Sequence, residues 1–117
     1  MTFLLRSGIV ETEGESGPWD STPALEACLS HRSDALLLRE ADLPEEFFDL
    51  STGVAGEVLQ RLDNYRIRLA VVASLERFSP RFAHLLAEER TRGRFAVFAE
   101  TEAARAWLLS AEGTYWE

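Results

Sequence analysis

Cysteine occurs once in the 117 residues, at Cys28, which excludes an intramolecular disulfide and a cysteine-only metal cluster. A chain without a disulfide framework suits a reducing compartment, and the expected location is cytoplasmic. There is no long apolar run to cross a membrane. The opening Met1-Thr2-Phe3-Leu4-Leu5-Arg6 is too short in apolar residues for a signal peptide. Basic residues are outnumbered 20 to 12, for a net charge of −8, and such a surface repels a phosphate backbone. Neither nucleic acid nor a membrane is therefore an expected partner. The one basic zone, Arg77, Arg81, Arg90, Arg92 and Arg94, is interrupted by Glu88 and Glu89. Repeats, low-complexity segments, GxGxxG, Walker A, zinc and nucleophile-elbow patterns are all missing.

With 46% hydrophobic residues the chain can bury a core, and its length fits one domain over 1–117. Thr2–Arg6 and Ile9–Glu13 flank Ser7-Gly8 and read as a hairpin. Gly14 to Asp20 reads as a loop, with Trp19 packing on the domain edge. Thr22-Pro23 opens a short helix ending near His31, with Leu25, Cys28 and Leu29 on one face. Ala35 to Leu38 is a continuous apolar run, as in a strand covered on both faces. Phe47, Phe48 and Leu50 form an apolar cluster on a turn. The longest helix then carries Val54, Val58, Leu62 and Tyr65 at helical spacing, with Ala55 and Leu59 beside them. Glu57 and Arg61 stand at i, i+4, and Asn64 is placed to stop the helix in a left-handed conformation. Arg66 to Ala73 is a strand that becomes buried. Ser79-Pro80 opens a helix facing in through Phe82, Leu85 and Leu86. Phe95 to Phe98 is a last strand. Thr101 caps a helix with Ala104, Trp107 and Leu108 inward, closed by Gly113 before Tyr115-Trp116. The order β-β-α-β-α-β-α-β-α predicts an α/β fold: a single mixed, mostly parallel sheet of about five strands with helices packed on it.

Leu43 to Leu50, Ser51 to Arg61 and Asn64-Tyr65 resemble DUF4180, a bacterial family of small proteins of unknown function. Arg68 to Val72, Arg81-Phe82 and Ala106-Trp107-Leu108 carry the same likeness, which runs from Asp34 over about two thirds of the chain. More distantly, Phe48 to Leu59 looks like the Asp-Ser-Ser-Gly turn and helix of anti-sigma factor antagonists, the STAS domains. That resemblance implies a STAS-like fold and a hydroxyl phosphorylated by a partner kinase at Thr52, with Ser51 before it. The aspartate of that motif falls on Leu50, and Asp49 stands one place earlier.

The residues singled out for binding or switching are Asp49, Ser51, Thr52, Gly53, Gly56 and Glu57. Ser51 and Thr52 are natural helix caps, and a helix start also offers free N–H groups to an anion. Gly53 and Gly56 cost the helix roughly 1 kcal/mol each against alanine, which implies close packing on a strand or close approach of a partner. Asp42, Glu45, Glu46 and Asp49 match no oxygen-ligand spacing and read as a solvated acidic edge. Arg90, Arg92 and Arg94 read as a solvated helix end. Cys28 and His31 read as a buried thiol beside a helix-end histidine, not as a nucleophile and base. No catalytic residue, metal or cofactor is expected. The expectation is a small cytosolic regulatory or protein-interaction module without enzymatic activity, switched at Ser51-Thr52-Gly53 and binding another protein. The alternative is a small-molecule-binding protein or enzyme using the cleft at the start of the central helix. Self-association through an edge strand of the hairpin is a third expectation.

Overall fold

The computed structural model describes residues 2–13, 21–74 and 78–110. Trp19 and its loop, Gly113 and Tyr115-Trp116 lie outside them. Two strands, β1 (Thr2–Arg6) and β2 (Ile9–Glu13), form the expected hairpin. Its turn is left-handed at both Ser7 and Gly8, the type I′ geometry that matches strand twist. Then follow α1 (Ser21–Ser30), β3 (Ala35–Arg39), α2 (Val54–Asn64), β4 (Arg68–Val72), α3 (Pro80–Thr91), β5 (Phe95–Phe98) and α4 (Thr101–Ser110). Three 3-10 turns, Glu40–Asp42, Glu45–Phe48 and Leu50–Thr52, join β3 to α2.

The five strands lie side by side in chain order, antiparallel between β1 and β2 and parallel from β2 to β5. Alternation along each strand splits the core in two. Val10, Leu36, Leu38, Leu69, Val71, Phe95 and Val97 point to one face, against Leu25 and Cys28 of α1, Val58 and Leu62 of α2 and Phe82 of α3. Ile9, Ala35, Leu37 and Ala70 point to the other, against Ala104 and Leu108 of α4, with Trp107 partly buried beside Phe98. Crossovers of one hand that always step the same way put their helices on one side, so α1, α2 and α3 share a face. The chain reaches the other face only after the last strand.

Several local expectations are corrected. Tyr65 is not part of the buried stripe of α2; it follows the helix and is 53% exposed. Ala55, Val58, Leu59 and Leu62 make the buried face. The left-handed stop is Arg66, not Asn64, which is still helical. Among the described elements α3, with 12 residues, is longer than α2, with 11. In α3 only Phe82 of the expected apolar trio is fully buried, Leu85 and Leu86 being half-buried.

All 12 basic residues are arginines, and several act as clamps between elements. Arg94 reaches Glu89 at 2.6 Å and Asp63 at 2.6 Å, tying β5 to the ends of α3 and α2. Arg61 does not pair with Glu57 but donates to the Ser21 hydroxyl at 2.6 Å, across to the start of α1. Arg105 of α4 donates to both oxygens of Glu11 on β2, at 2.8 and 2.9 Å. Glu11 is 2% exposed. The hydrogen bond from Arg105, opposed by burial and helped by the charges of Arg105, Arg6 and Arg39, holds its carboxyl below the ordinary range.

Replacing Arg105 strands a buried carboxylate, so Arg105→Met should cost about 2–4 kcal/mol in denaturant unfolding at neutral pH. The double variant Glu11→Leu/Arg105→Met should be less destabilised than Arg105→Met alone. Because the folded pKa of Glu11 is depressed, its contribution is present above the unfolded carboxylate value. It is lost as the pH falls through the lower folded value, and the stability of Glu11→Leu should fall less across that acid window.

Candidate functional site

The connection from β3 to α2 runs over the carboxyl end of the parallel strands, the edge where open α/β sheets place their ligands. Here the strand order never reverses, so the crevice between oppositely directed crossovers is not formed among the described strands. The working surface of this edge is then the connection itself and the helices that follow.

Its anchor is aromatic. Phe47 is fully buried and meets Phe48, Phe82 and Phe95 at ring-centroid distances of 5.3, 6.2 and 5.9 Å. Phe78 stacks on Phe48 and meets Phe82 at 4.9 Å. Offset and edge-to-face pairs of this kind add stability beyond the area they bury. They lock the 45–48 turn onto α3 and β5, as the expected Phe47-Phe48 cluster required. Asp42 corrects the reading of a solvated acidic edge. It is 5% exposed and accepts from the Thr12 hydroxyl at 2.6 Å and from the Arg39 N–H at 2.8 Å. Glu45, Glu46 and Asp49 are exposed, as expected.

The switch candidates follow directly. Asp49 caps the 50–52 turn, its carboxylate accepting from the Ser51 N–H at 3.0 Å and the Ser51 hydroxyl at 2.7 Å. Those two donations, side chain first, with the charge of Arg81, hold Asp49 below the ordinary aspartate range. The Thr52 hydroxyl lies 2.6 Å from the Glu46 carbonyl and 2.8 Å from that of Asp49, so its one proton is committed within the turn. Its oxygen also receives the Val54 N–H at 3.3 Å. Neither hydroxyl caps α2 as expected, because its N-cap is Gly53 with no side-chain cap bond. Thr52 holds the turn that precedes the helix, while the Ser51 hydroxyl is held only by an exposed carboxylate. Gly53 is left-handed, at φ 79°, and makes the turn into α2. Gly56 and Glu57 are exposed on the first turns of α2. A Cβ at Gly56 would meet nothing within 4 Å, so close packing on a strand does not explain that glycine.

Beside this turn Leu50 faces Pro80, Arg81, His84, Leu85 and Glu88 of α3 across an open cleft of about 450 Å³. His84 and Glu88 approach to 3.7 Å on its outer wall. Arg81 and His84 were not singled out as site residues from the sequence, where Arg81 reads only as part of the basic zone and of the family likeness. Their spacing along α3 places them on one flank, and only the aromatic cluster brings that flank against Leu50. Cys28 is fully buried, and burial pushes its thiol up to about 12, an inert group. Among the described residues no three His, Cys, Asp or Glu converge as metal ligands, and no helix is long and apolar enough to cross a membrane.

The family model for a domain of unknown function, DUF4180, matches residues 18–108. No curated protein and no solved structure matches the chain. The matched residues take in α1 through most of α4, with the whole candidate turn, and the chain belongs to the DUF4180 family.

Four substitutions separate structural from free positions in thermal or denaturant unfolding. Thr52→Ala should cost about 1–2 kcal/mol through its lost turn bonds, and Ser51→Ala less than about 0.5 kcal/mol. Gly56→Ala should stabilise by about 1 kcal/mol, whereas Gly53→Ala, forced to positive φ, should cost about 1 kcal/mol. In a carboxyl NMR titration, Ser51→Ala should move the Asp49 pKa back up towards its ordinary value.

Proposed function

We propose, from the exposed turn at the start of α2, that the chain is a small regulatory or protein-interaction module. Its contact face is Asp49, Ser51, Thr52, Gly53, Gly56 and Glu57, continued by Leu50, Arg81 and His84 of the adjoining cleft. The observation that carries this reading is Gly56. A glycine in an exposed helical turn lowers helix stability, and a Cβ there would meet no other part of the chain within 4 Å. What benefits from a missing side chain there is a partner's close approach from outside. The neighbouring groups suit such a partner: a hydroxyl at Ser51 held by one carboxylate, a glycine turn and an apolar leucine, all exposed or half-buried. The likeness of Phe48 to Leu59 to the phosphorylated turn of STAS domains supports the same face. Here the acid that orients the turn is Asp49, bonded to Ser51. The hydroxyl to be modified would be Ser51, since that of Thr52 is spent on two backbone carbonyls. The polar groups of the cleft all come from α3, so they do not converge as the walls of a small-molecule pocket do.

The test uses a photo-crosslinking residue in place of Ser51 in the host cell, with the same residue at exposed Glu26 on α1 as control. The expected outcome is a discrete heterologous adduct from position 51 alone, lost when Gly56→Arg is added. Gly56→Arg should leave the melting temperature within a few degrees, because its side chain enters open space. Equal labelling from positions 51 and 26, or an adduct indifferent to Gly56→Arg, sinks the reading.

A further inference from the structure

Among the described residues one charged side chain is buried with its hydrogen-bonding capacity unmet. Arg68, the first residue of β4, is 5% exposed, and its Nε and Nη1 meet no acceptor. Its Nη2 lies 3.7 Å from the Asp34 carboxylate, an ion pair too long for a hydrogen bond. A guanidinium stays charged when buried, and its planar fork of donors is made for a pair of acceptor oxygens. The other buried charges are answered: Glu11 by Arg105, Glu89 by Arg94, and Asp42 by the Thr12 hydroxyl and the Arg39 N–H. The walls around Arg68 are apolar. It stands beside Ala35 in the β3–β4 register, and because Leu69 points to the face of α1 to α3, Arg68 starts on the α4 face with Ala35 and Ala70. Helix α4 follows β5 directly and runs back across the strands, so its last turn comes to their amino ends. There Ile9, Ala35 and Leu108 belong to one apolar cluster.

We propose that Arg68 anchors a carboxylate-binding site at the amino end of the sheet. A carboxylate sets two oxygens in one plane at the spacing of the paired guanidinium N–H groups. Its single charge matches the single unanswered cation. A doubly charged phosphate would bring surplus charge to an edge where α1, α2, α3 and α4 all end, each with the negative end of its dipole. The guanidinium tip lies just beneath the surface, since the Asp34 side chain beside Nη2 is 44% exposed. A carboxylate entering there displaces only that long contact. It has two sources of the same chemistry: Glu112 of this chain, two residues beyond the last residue of α4, or a small free carboxylic acid. The site is at the opposite end of the sheet from the β3–α2 connection and does not depend on the contact face at Ser51.

The test reads the Arg68 Nε–H resonance of the intact chain by NMR at neutral pH, assigned through its own side chain. Sodium butyrate is titrated against sodium chloride at matched ionic strength, and the spectrum is repeated on Glu112→Gln. With a free acid as the source, butyrate moves the resonance downfield to saturation and slows its exchange with water. With the chain as the source, the resonance starts in that downfield, protected position and leaves it in Glu112→Gln. Thermal unfolding gives an independent readout. In the first case saturating butyrate raises the melting temperature of the wild type and not that of Arg68→Met. In the second, Glu112→Gln lowers the melting temperature of the wild type and adds nothing in the Arg68→Met background. A resonance indifferent both to butyrate and to Glu112→Gln overturns the proposal. So does one that chloride moves as far as butyrate does, and so does one that moves only in Asp34→Asn, which would make Asp34 the whole partner.

Discussion

Strand order is the constraint on which the rest depends. Because β2 to β5 follow one another without a reversal, the three connecting helices have one face available to them. Binding surface cannot then arise between helices on opposite faces, as it does in doubly wound sheets. What stays open over the carboxyl ends of the strands is the long β3–α2 connection. The single helix on the far face must also be held by something other than neighbours. Ala104 and Leu108 give α4 a narrow apolar contact, and the Arg105–Glu11 clamp fixes its orientation across to β2. A hydrophobic pair there would hold equally well, but a charge pair also sets direction, since only one rotation of α4 satisfies both guanidinium bonds.

The candidate turn is rigid for a reason that lies beneath it. Phe47 and Phe48 are sequence neighbours, yet they serve two sides of one cluster, Phe47 towards Phe95 of the sheet and Phe48 towards Phe78. The turn that carries Asp49, Ser51 and Thr52 is thereby fixed relative to α3, although its own residues are exposed. A preformed exposed surface loses little conformational entropy on binding.

The fold was legible because each element announces itself locally. The glycine hairpin, the Ser79-Pro80 start and the apolar strands lie where their residue patterns put them, and Thr101, read as a cap, is the first residue of α4. What was not legible depends on contacts distant in sequence. Asp42 reads as a surface acid until Thr12, thirty residues away, is placed beside it. Arg61 reads as a partner for Glu57 until the start of α1 arrives within reach. Tyr65 continues the helical period of Val58 and Leu62, but the chain leaves the helix one residue sooner and turns through Arg66. At the site, Ser51, Thr52 and Gly53 were visible as turn chemistry, although the N-cap of α2 is Gly53 and neither hydroxyl caps that helix. The division of labour between the two hydroxyls was not, because it is set by where the Glu46 and Asp49 carbonyls point. That Arg81 and His84 border the turn was invisible for the same reason as the burial of Asp42.

The helix α3 joins these observations. It buries one aromatic side chain, Phe82, and one carboxylate, Glu89, and carries half-buried leucines between them. One flank borders the cleft at Leu50, and the other borders a trough along β5. A helix that only spanned β4 to β5 would bury a broader stripe. Its two open flanks are what remain when the aromatic cluster at one end and the Arg94–Glu89 clamp at the other do the holding. Stability is thus concentrated at the ends of α3, and the surface between them is left open to solvent.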